Sequence, residues 1–572
     1  MGLRNDRNSG TMKRNFYSGE RVISWILALF PLAAVAGVFI LPYISALAGG
    51  FRGKQLSGDT AGPGTSLLGD PALRRVVAFT LKQAFLSTLL ALSLGIPGAV
   101  AAGAGRFRGR RILRALTSIP FAMPPILVVL GFVLFFGNAG WLNRIIAAVS
   151  GVPEGPLRIL YKPSAIVLAH GFYNFPLVIR LAGDGIAQAR KAYEPAASSL
   201  GASPVRMFAT VILPVILPSV VSAALLIFLY SFTSFAVILV LGGGPGATTL
   251  SVEIYRYARI ALDYQSAGIL ALAETAIAGL VFLLYLYFDR KAKSAAGNGI
   301  ELDRGGMDGP NYSGLYKTII GIYGFCMVMF ILGPILSVPL ESFLYKPSRT
   351  AAPVFSLRYW ASMGKNIVPA LGRSVILAVL SATAATVLAV LGAAAVAVNS
   401  QSRLLRGLIR VATTAPLASS GVVLGLGWLS LYGRDNARSV LAVALIHAVT
   451  ALPFAYLSVS EGLRSVPGNT LNAAAVFGAG PFKRTLTVAI PISLGRLRSA
   501  WGFSAAISLG ELNAILMLGM DHWETLPLFI YRAAGSYRYG LACAAGTILI
   551  LCCIGAFLLS DAETGRKKDH VH

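Results

Sequence analysis

Glu511 is the residue with the most chemistry to account for. It lies in Ser508-Leu509-Gly510-Glu511-Leu512-Asn513, inside a long apolar run. A charge at mid-bilayer costs about 2.5–3.5 kcal/mol, so this carboxylate must meet a polar interface or a watery path. An acid there can attract a cation or accept hydrogen bonds. The run around Ser231-Phe232-Thr233-Ser234-Phe235 aligns with it, Ser234 standing where Glu511 stands. Ser231, Thr233, Ser234, Ser508, Glu511 and Asn513 are therefore the candidate lining of a polar path through the membrane. His170 and His447 occupy equivalent apolar segments without any ligand cluster beside them, which favours hydrogen bonding over metal binding. No G-x-x-x-x-G-K-[ST] phosphate loop occurs, and no H-E-x-x-H helix or Ser/His/Asp set stands out. Neither catalytic residues nor a metal site is expected.

Two short polar segments carry the second signal. Glu194-Pro195-Ala196-Ala197 leads through Gly201, Ala202 and Pro204 to Pro214, and Asn472-Ala473-Ala474 leads through Gly478, Ala479 and Pro481 to Pro491. Internal spacing is identical. Paired alanines favour a short helix with a small, smooth face that another protein can approach. Gly201 and Gly478 permit a backbone turn that bulky residues resist. Pro204 and Pro481 suit the first turn of a following helix, and Pro214 and Pro491 are expected to break the run into the next span.

These segments sit among elements whose class is set by composition. Hydrophobic residues make up 56% of 572 positions and charged residues 13%, against about 25% charged in soluble domains. Apolar stretches of about 20 residues or more, enough to cross a bilayer, run over roughly 22–46, 76–103, 112–137, 163–183, 211–242, 267–288, 317–339, 374–398, 405–432, 439–459, 488–519 and 541–560. The expected fold is all-α and polytopic, with about twelve transmembrane helices. The net charge of +26 is spread over connecting segments, among them Arg106–Arg114, Arg403, Arg406, Arg410, Arg290, Lys291 and Arg566. That pattern is a membrane-topology charge rather than a nucleic-acid surface, and it places both termini in the cytoplasm. Cys326, Cys543, Cys552 and Cys553 all fall in apolar spans and read as packing residues. The first span is too long for a signal peptide and reads as a retained anchor.

A repeat organises the chain. At an offset of 277, His170 matches His447, Pro176 matches Pro453, Gly201 matches Gly478, Ser231 matches Ser508 and Gly242 matches Gly519. Upstream the offset grows to about 296, aligning Pro120 with Pro416 and Gly95 with Gly392. The first half thus holds about twenty extra residues in the outer loop between spans three and four. Each half contributes six spans, an even number, so the repeats are parallel. The expected organisation is a first unit over 1–288 with its polar segment near 190–214, a glycine-rich cytoplasmic linker over 289–315, and a second unit over 316–572 with its polar segment near 467–491.

The two polar segments resemble the E-A-A-x-x-x-G coupling loops of bacterial ABC importer permeases. The resemblance covers most of the chain as two fused six-span units, as in the ferric-iron and thiamine importer group. Leu168-Ala169-His170-Gly171-Phe172-Tyr173-Asn174-Phe175-Pro176, Leu241–Thr249, Thr525-Leu526-Pro527 and Gly535-Ser536-Tyr537-Arg538 are most similar to the thiamine branch. Pro195 and Asn472 replace the usual glutamate, although Glu194 stands beside the first.

The resemblance implies a type I ABC importer permease in the bacterial inner membrane. It implies two copies of a cytoplasmic ABC ATPase that hold ATP-Mg, an extracytoplasmic substrate-binding protein and the lipid bilayer as partners, and no cofactor on this chain. Glu194, Ala196, Ala197, Gly201, Ala202, Pro204, Asn472, Ala473, Ala474, Gly478, Ala479 and Pro481 become the candidate coupling residues. Thiamine or its phosphates is the implied substrate, and ferric iron the alternative. A twelve-span secondary transporter also has parallel repeats, but leaves the matched loops without a purpose.

Overall fold

The computed structural model describes residues 5–52, 70–104, 123–151, 156–242, 244–295, 314–345, 353–520 and 522–561. The basic turn Arg106–Arg114, most of the linker and the basic C-terminus lie outside the described residues. The chain is almost wholly helical. Beside its helices, the described residues hold one short hairpin, Leu344–Tyr345 antiparallel to Val354–Phe355. Among the described residues ten helices are long and apolar enough to cross a membrane, or eleven if a bent pair is taken as one span. The all-α polytopic expectation holds.

Several expected spans are built differently. The third, expected over 112–137, is described from Pro125 and ends at Phe136, with a second helix, Trp141–Ser150, following after a turn. The ninth, expected as one helix over 405–432, bends by 102° between Arg403–Ala418 and Gly421–Gly433. The eleventh, expected over 488–519, is divided into Ile490–Ile492, Leu494–Gly510 and Asn513–Leu518. The fifth, expected over 211–242, ends at Phe232 and resumes as Ala236–Leu241. Helix also continues past the expected start of the linker, since Tyr264–Ala295 is one element.

Pro214 does not break its span. A π-helical turn, Phe208–Ile212, leads directly into Leu213–Phe232, and its repeat equivalent, Thr485–Ala489, leads into Ile490–Ile492. Proline lacks an N–H, and its ring crowds the carbonyl four residues back. A wider turn relieves both, which is the usual reason for a single π-turn inside a span. The turn Ala36–Ile40 stands in the same relation to Pro42. In the second copy the helix does stop at Ser493, two residues after Pro491.

The described helices group into two compact units that do not follow the sequence halves. One unit comprises Met1–Ala48, Lys365–Leu528 and Ile548–His572. In it the first span packs on second-half helices: Trp428 Nε1 donates to the Val38 carbonyl at 2.9 Å, and Asn399 Nδ2 to Ser24 Oγ at 3.3 Å. The other unit comprises Gly49–Gly364 and Phe529–Thr547. Here the helix Gly314–Ser342 packs on first-half helices, and Tyr323 donates to the Leu94 carbonyl at 2.7 Å. Its core joins Phe175, Val178, Ile179, Ile186, Ile216 and Ile331. Each unit therefore contains the opening helix of the other half of the sequence.

Candidate functional site

The two candidate coupling segments share one backbone design. In the first, Gly201 has φ +75°, its N–H reaches the Ser198 carbonyl at 3.0 Å, and Ala202 N–H reaches the Ala197 carbonyl at 3.0 Å. In the second, Gly478 has φ +79°, its N–H reaches Ala475 O at 3.0 Å, and Ala479 N–H reaches Ala474 O at 3.0 Å. Both are Schellman caps, the arrangement that closes a helix with a left-handed residue and a six-to-one hydrogen bond. The Ala-Ala-x-x-x-Gly spacing is the cap itself. The second alanine supplies the carbonyl that the residue after the glycine must reach.

Exposure follows the same register in both copies. Ala196, Ala473, Gly201 and Gly478 are exposed, whereas Ala197, Ala474, Ala202 and Ala479 are half-buried. Ala197 and Ala202 pack against the core of their own unit. The outward side instead carries large apolar groups: Leu200 is 87% exposed and Phe477 90%. Pro204 opens the helix Pro204–Met207, and Pro481, after Gly480 at the N-cap, opens Pro481–Arg484.

The copies differ in what leads into the cap. The first segment is the last turn of the unbroken helix Pro163–Ser199, while the second is a separate helix, Gly468–Val476, set off by Pro467. Glu194 is held by Arg190, Nε to Oε2 at 2.9 Å and Nη2 to Oε1 at 2.6 Å. Asn472 has no such neighbour in sequence, its counterpart of Arg190 being Pro467.

The candidate path residues fall into two groups, one in each unit. In the unit containing most of the first half, Ser231 is fully buried and Ser234 half-buried at the break between Leu213–Phe232 and Ala236–Leu241. His170 Nε2 lies 2.8 Å from Ser234 Oγ, with Ser87 Oγ 3.5 Å from its other nitrogen. Asn174 Nδ2 donates to Ser231 Oγ at 3.3 Å, and Gln83 Nε2 to the Ser231 carbonyl at 2.8 Å. Thr233 turns back to the Leu229 carbonyl at 2.9 Å.

In the other unit Glu511 occupies the break between Leu494–Gly510 and Asn513–Leu518. Its Oε1 accepts from the backbone N–H of Asn513 at 2.8 Å and of Ala514 at 3.3 Å. The carboxylate thereby caps the short helix that follows, satisfying donors otherwise orphaned in an apolar interior. Gly421 lies against this cap: a Cβ there would meet Asn513 Cβ at 3.2 Å and Glu511 Oε1 at 3.5 Å. His447 Nδ1 lies 2.9 Å from Ser508 Oγ. Ala451 stands where the first half has Asn174, so the histidine takes the serine that the asparagine holds in the other copy.

The sequence singles out both histidines, Ser231, Ser234, Ser508 and Glu511, and the structure places them at or beside these breaks. Gln83, Asn174, Arg190 and Gly421 are not singled out by the sequence. The spacing of His170 and Asn174, four apart on one helical face, was the available signal for one of these.

Among the described residues no group of three or more His, Cys, Asp or Glu side chains is placed to hold a metal ion. The described residues thus present broken helices with polar side chains at the breaks and two capped segments between long apolar helices. Residues 95–294 match the family described as the binding-protein-dependent transport system inner membrane component. The chain is 28% identical over 544 residues to the thiamine transport system permease protein ThiP of Brucella abortus (strain 2308), covering 94% of this chain and 96% of that protein. Its identity to ThiP of Escherichia coli (strain K12) is 27% over 508 residues, 87% of this chain and 90% of that one. The molybdenum transport system permease protein ModB of Mycobacterium bovis is 32% identical over 220 residues, 38% of this chain and 80% of its own length. The chain belongs to the family of binding-protein-dependent transport system inner membrane components.

Proposed function

We propose that this chain is the permease of an ATP-driven importer of thiamine or its phosphates. The observation that carries the reading is end-to-end similarity to thiamine permeases, 94% of this chain against 96% of the Brucella protein. Fusion of two permease repeats is part of that match, since a single-unit relative such as ModB covers only 38% of the chain.

In this reading the capped segments ending at Gly201 and Gly478 each seat a copy of a cytoplasmic ABC ATPase, which holds ATP-Mg. The exposed Leu200 and Phe477 supply apolar contact, the kind of side chain that anchors an interface centre. A binding protein delivers substrate from outside the inner membrane, and both termini lie in the cytoplasm. Ser231, Ser234, Ser508, Glu511 and Asn513 border the path at helix breaks. Non-helical backbone at membrane depth is tolerated where it is buried in protein or lines a cavity. The ATPases close on ATP and open after hydrolysis, alternating the side to which the path is accessible.

Uptake of labelled thiamine by proteoliposomes that contain the chain, its ATPase and its binding protein tests the assignment. ATP-dependent thiamine accumulation supports it. Accumulation of ferric iron without thiamine overturns the substrate, and full uptake by a G201V/G478V double variant overturns the coupling role.

A further inference from the structure

The extra residues of the first half help to build a cavity. After the turn at 137–140 they form the helix Trp141–Ser150 and then lead to Tyr161, just before the helix Pro163–Ser199. The buried side chain of Asn143 pins the insertion. Its Nδ2 donates to the carbonyls of Gly137 at 3.0 Å and Leu157 at 2.7 Å, and its Oδ1 accepts from Leu157 N–H at 3.1 Å. A cavity of about 300 Å³ results, lined among others by Gly140, Arg144, Leu160, Tyr161, Glu341 and Tyr539.

Glu341 brings the carboxylate to this cavity. Oε2 is buried without a hydrogen-bond partner among the described residues. The other oxygen is 3.9 Å from Arg144, whose Nε is already given to the Ala139 carbonyl at 2.8 Å and whose guanidinium lies 5.4 Å over the Trp141 ring. A buried carboxylate oxygen is stabilised by a hydrogen-bond donor, which a bound molecule can supply here. Tyr161 and Tyr539 present aromatic rings to the same space, a surface that attracts cations. The cavity lies at the end of Pro163–Ser199 remote from its capped segment, a helix about 55 Å long.

We propose that this cavity is a loading site for a small organic cation bearing N–H donors, and that thiamine is that cation. The inference rests on the thiamine reading above. Thiamine joins a cationic thiazolium, suited to the tyrosines, to an aminopyrimidine that can donate to Glu341 Oε2.

Calorimetric titration of thiamine into the full chain in lipid nanodiscs, without its binding protein, tests this. The expected result is measurable binding that Glu341→Gln weakens roughly ten-fold or more, and that Tyr161→Leu, at a half-exposed position, also weakens. Tetramethylammonium, a cation with neither N–H nor O–H donors, is expected to bind much more weakly than thiamine. No thiamine binding by the native chain overturns the proposal, as does equal binding by both variants. Thiamine uptake with all partners present is measured separately. If uptake proceeds while direct binding is absent, the loading site fails and the functional reading stands.

Discussion

Arg190 holds Glu194 from one helical turn earlier through two charge-assisted hydrogen bonds, 2.9 and 2.6 Å long. The acid displaced by one position from the usual motif is thus engaged inside its own helix, on a guanidinium that is itself buried. Removing one partner of such a pair costs more than replacing both, because the other charge is left behind. Glu194→Ala is expected to cost about 1–3 kcal/mol and to lower the thermal midpoint in detergent. An Arg190→Met/Glu194→Leu double variant should recover part of that loss. A midpoint unchanged in Glu194→Ala would refute the structural role.

Gly201 and Gly478 have open space where a Cβ would go, so any penalty at these positions is one of backbone alone. Asparagine tolerates the left-handed region and valine does not. Gly201→Asn should retain most ATP-coupled uptake, whereas Gly201→Val, at a cost of about 1–2 kcal/mol to the turn, should lose most of it. The same order is expected at Gly478. Equal uptake by the asparagine and valine variants would show that the cap geometry is irrelevant.

Glu511 acts on the backbone of Asn513 and Ala514. Residues that can cap should therefore substitute for it better than residues that match its size. Glu511→Asp and Glu511→Ser are expected to transport better than Glu511→Ala, which loses about 1 kcal/mol of local capping energy. Transport that follows charge alone, with aspartate active and serine no better than alanine, would return this residue to direct contact with a cation.

Asn143 makes three hydrogen bonds across the inserted segment. Asn143→Ala should leave the spans intact while exposing residues 138–162 to protease. Limited proteolysis followed by mass spectrometry of the new termini measures this, and cleavage at the native rate would contradict it.

Much of this architecture is legible in the chain because its determinants are local. Span existence follows from apolar length, and the two caps follow from an alanine pair at fixed distance from a glycine. The breaks within spans are not legible in the same way. Thr233-Ser234-Phe235 and Gly510-Glu511-Leu512 are short polar or small interruptions in apolar runs, and the contacts that go with the breaks, His170 with Ser234 and Gly421 beside the Glu511 cap, come from distant parts of the chain. Pro214 was misjudged for a related reason: a π-turn five residues long lets a helix carry a proline it would otherwise yield to. The composition of the units lies furthest from the sequence. Contacts such as Trp428 to Val38 join positions 390 residues apart, and no local pattern announces them.

Those long-range contacts have a consequence for biosynthesis. The first span emerges from the ribosome well before the helices it packs on, since Ser24 must await Asn399, 375 residues later. At about 5–20 residues per second, that is a delay of roughly 20–75 s. During it the span has only lipid or a membrane chaperone to cover a face that ends up against protein.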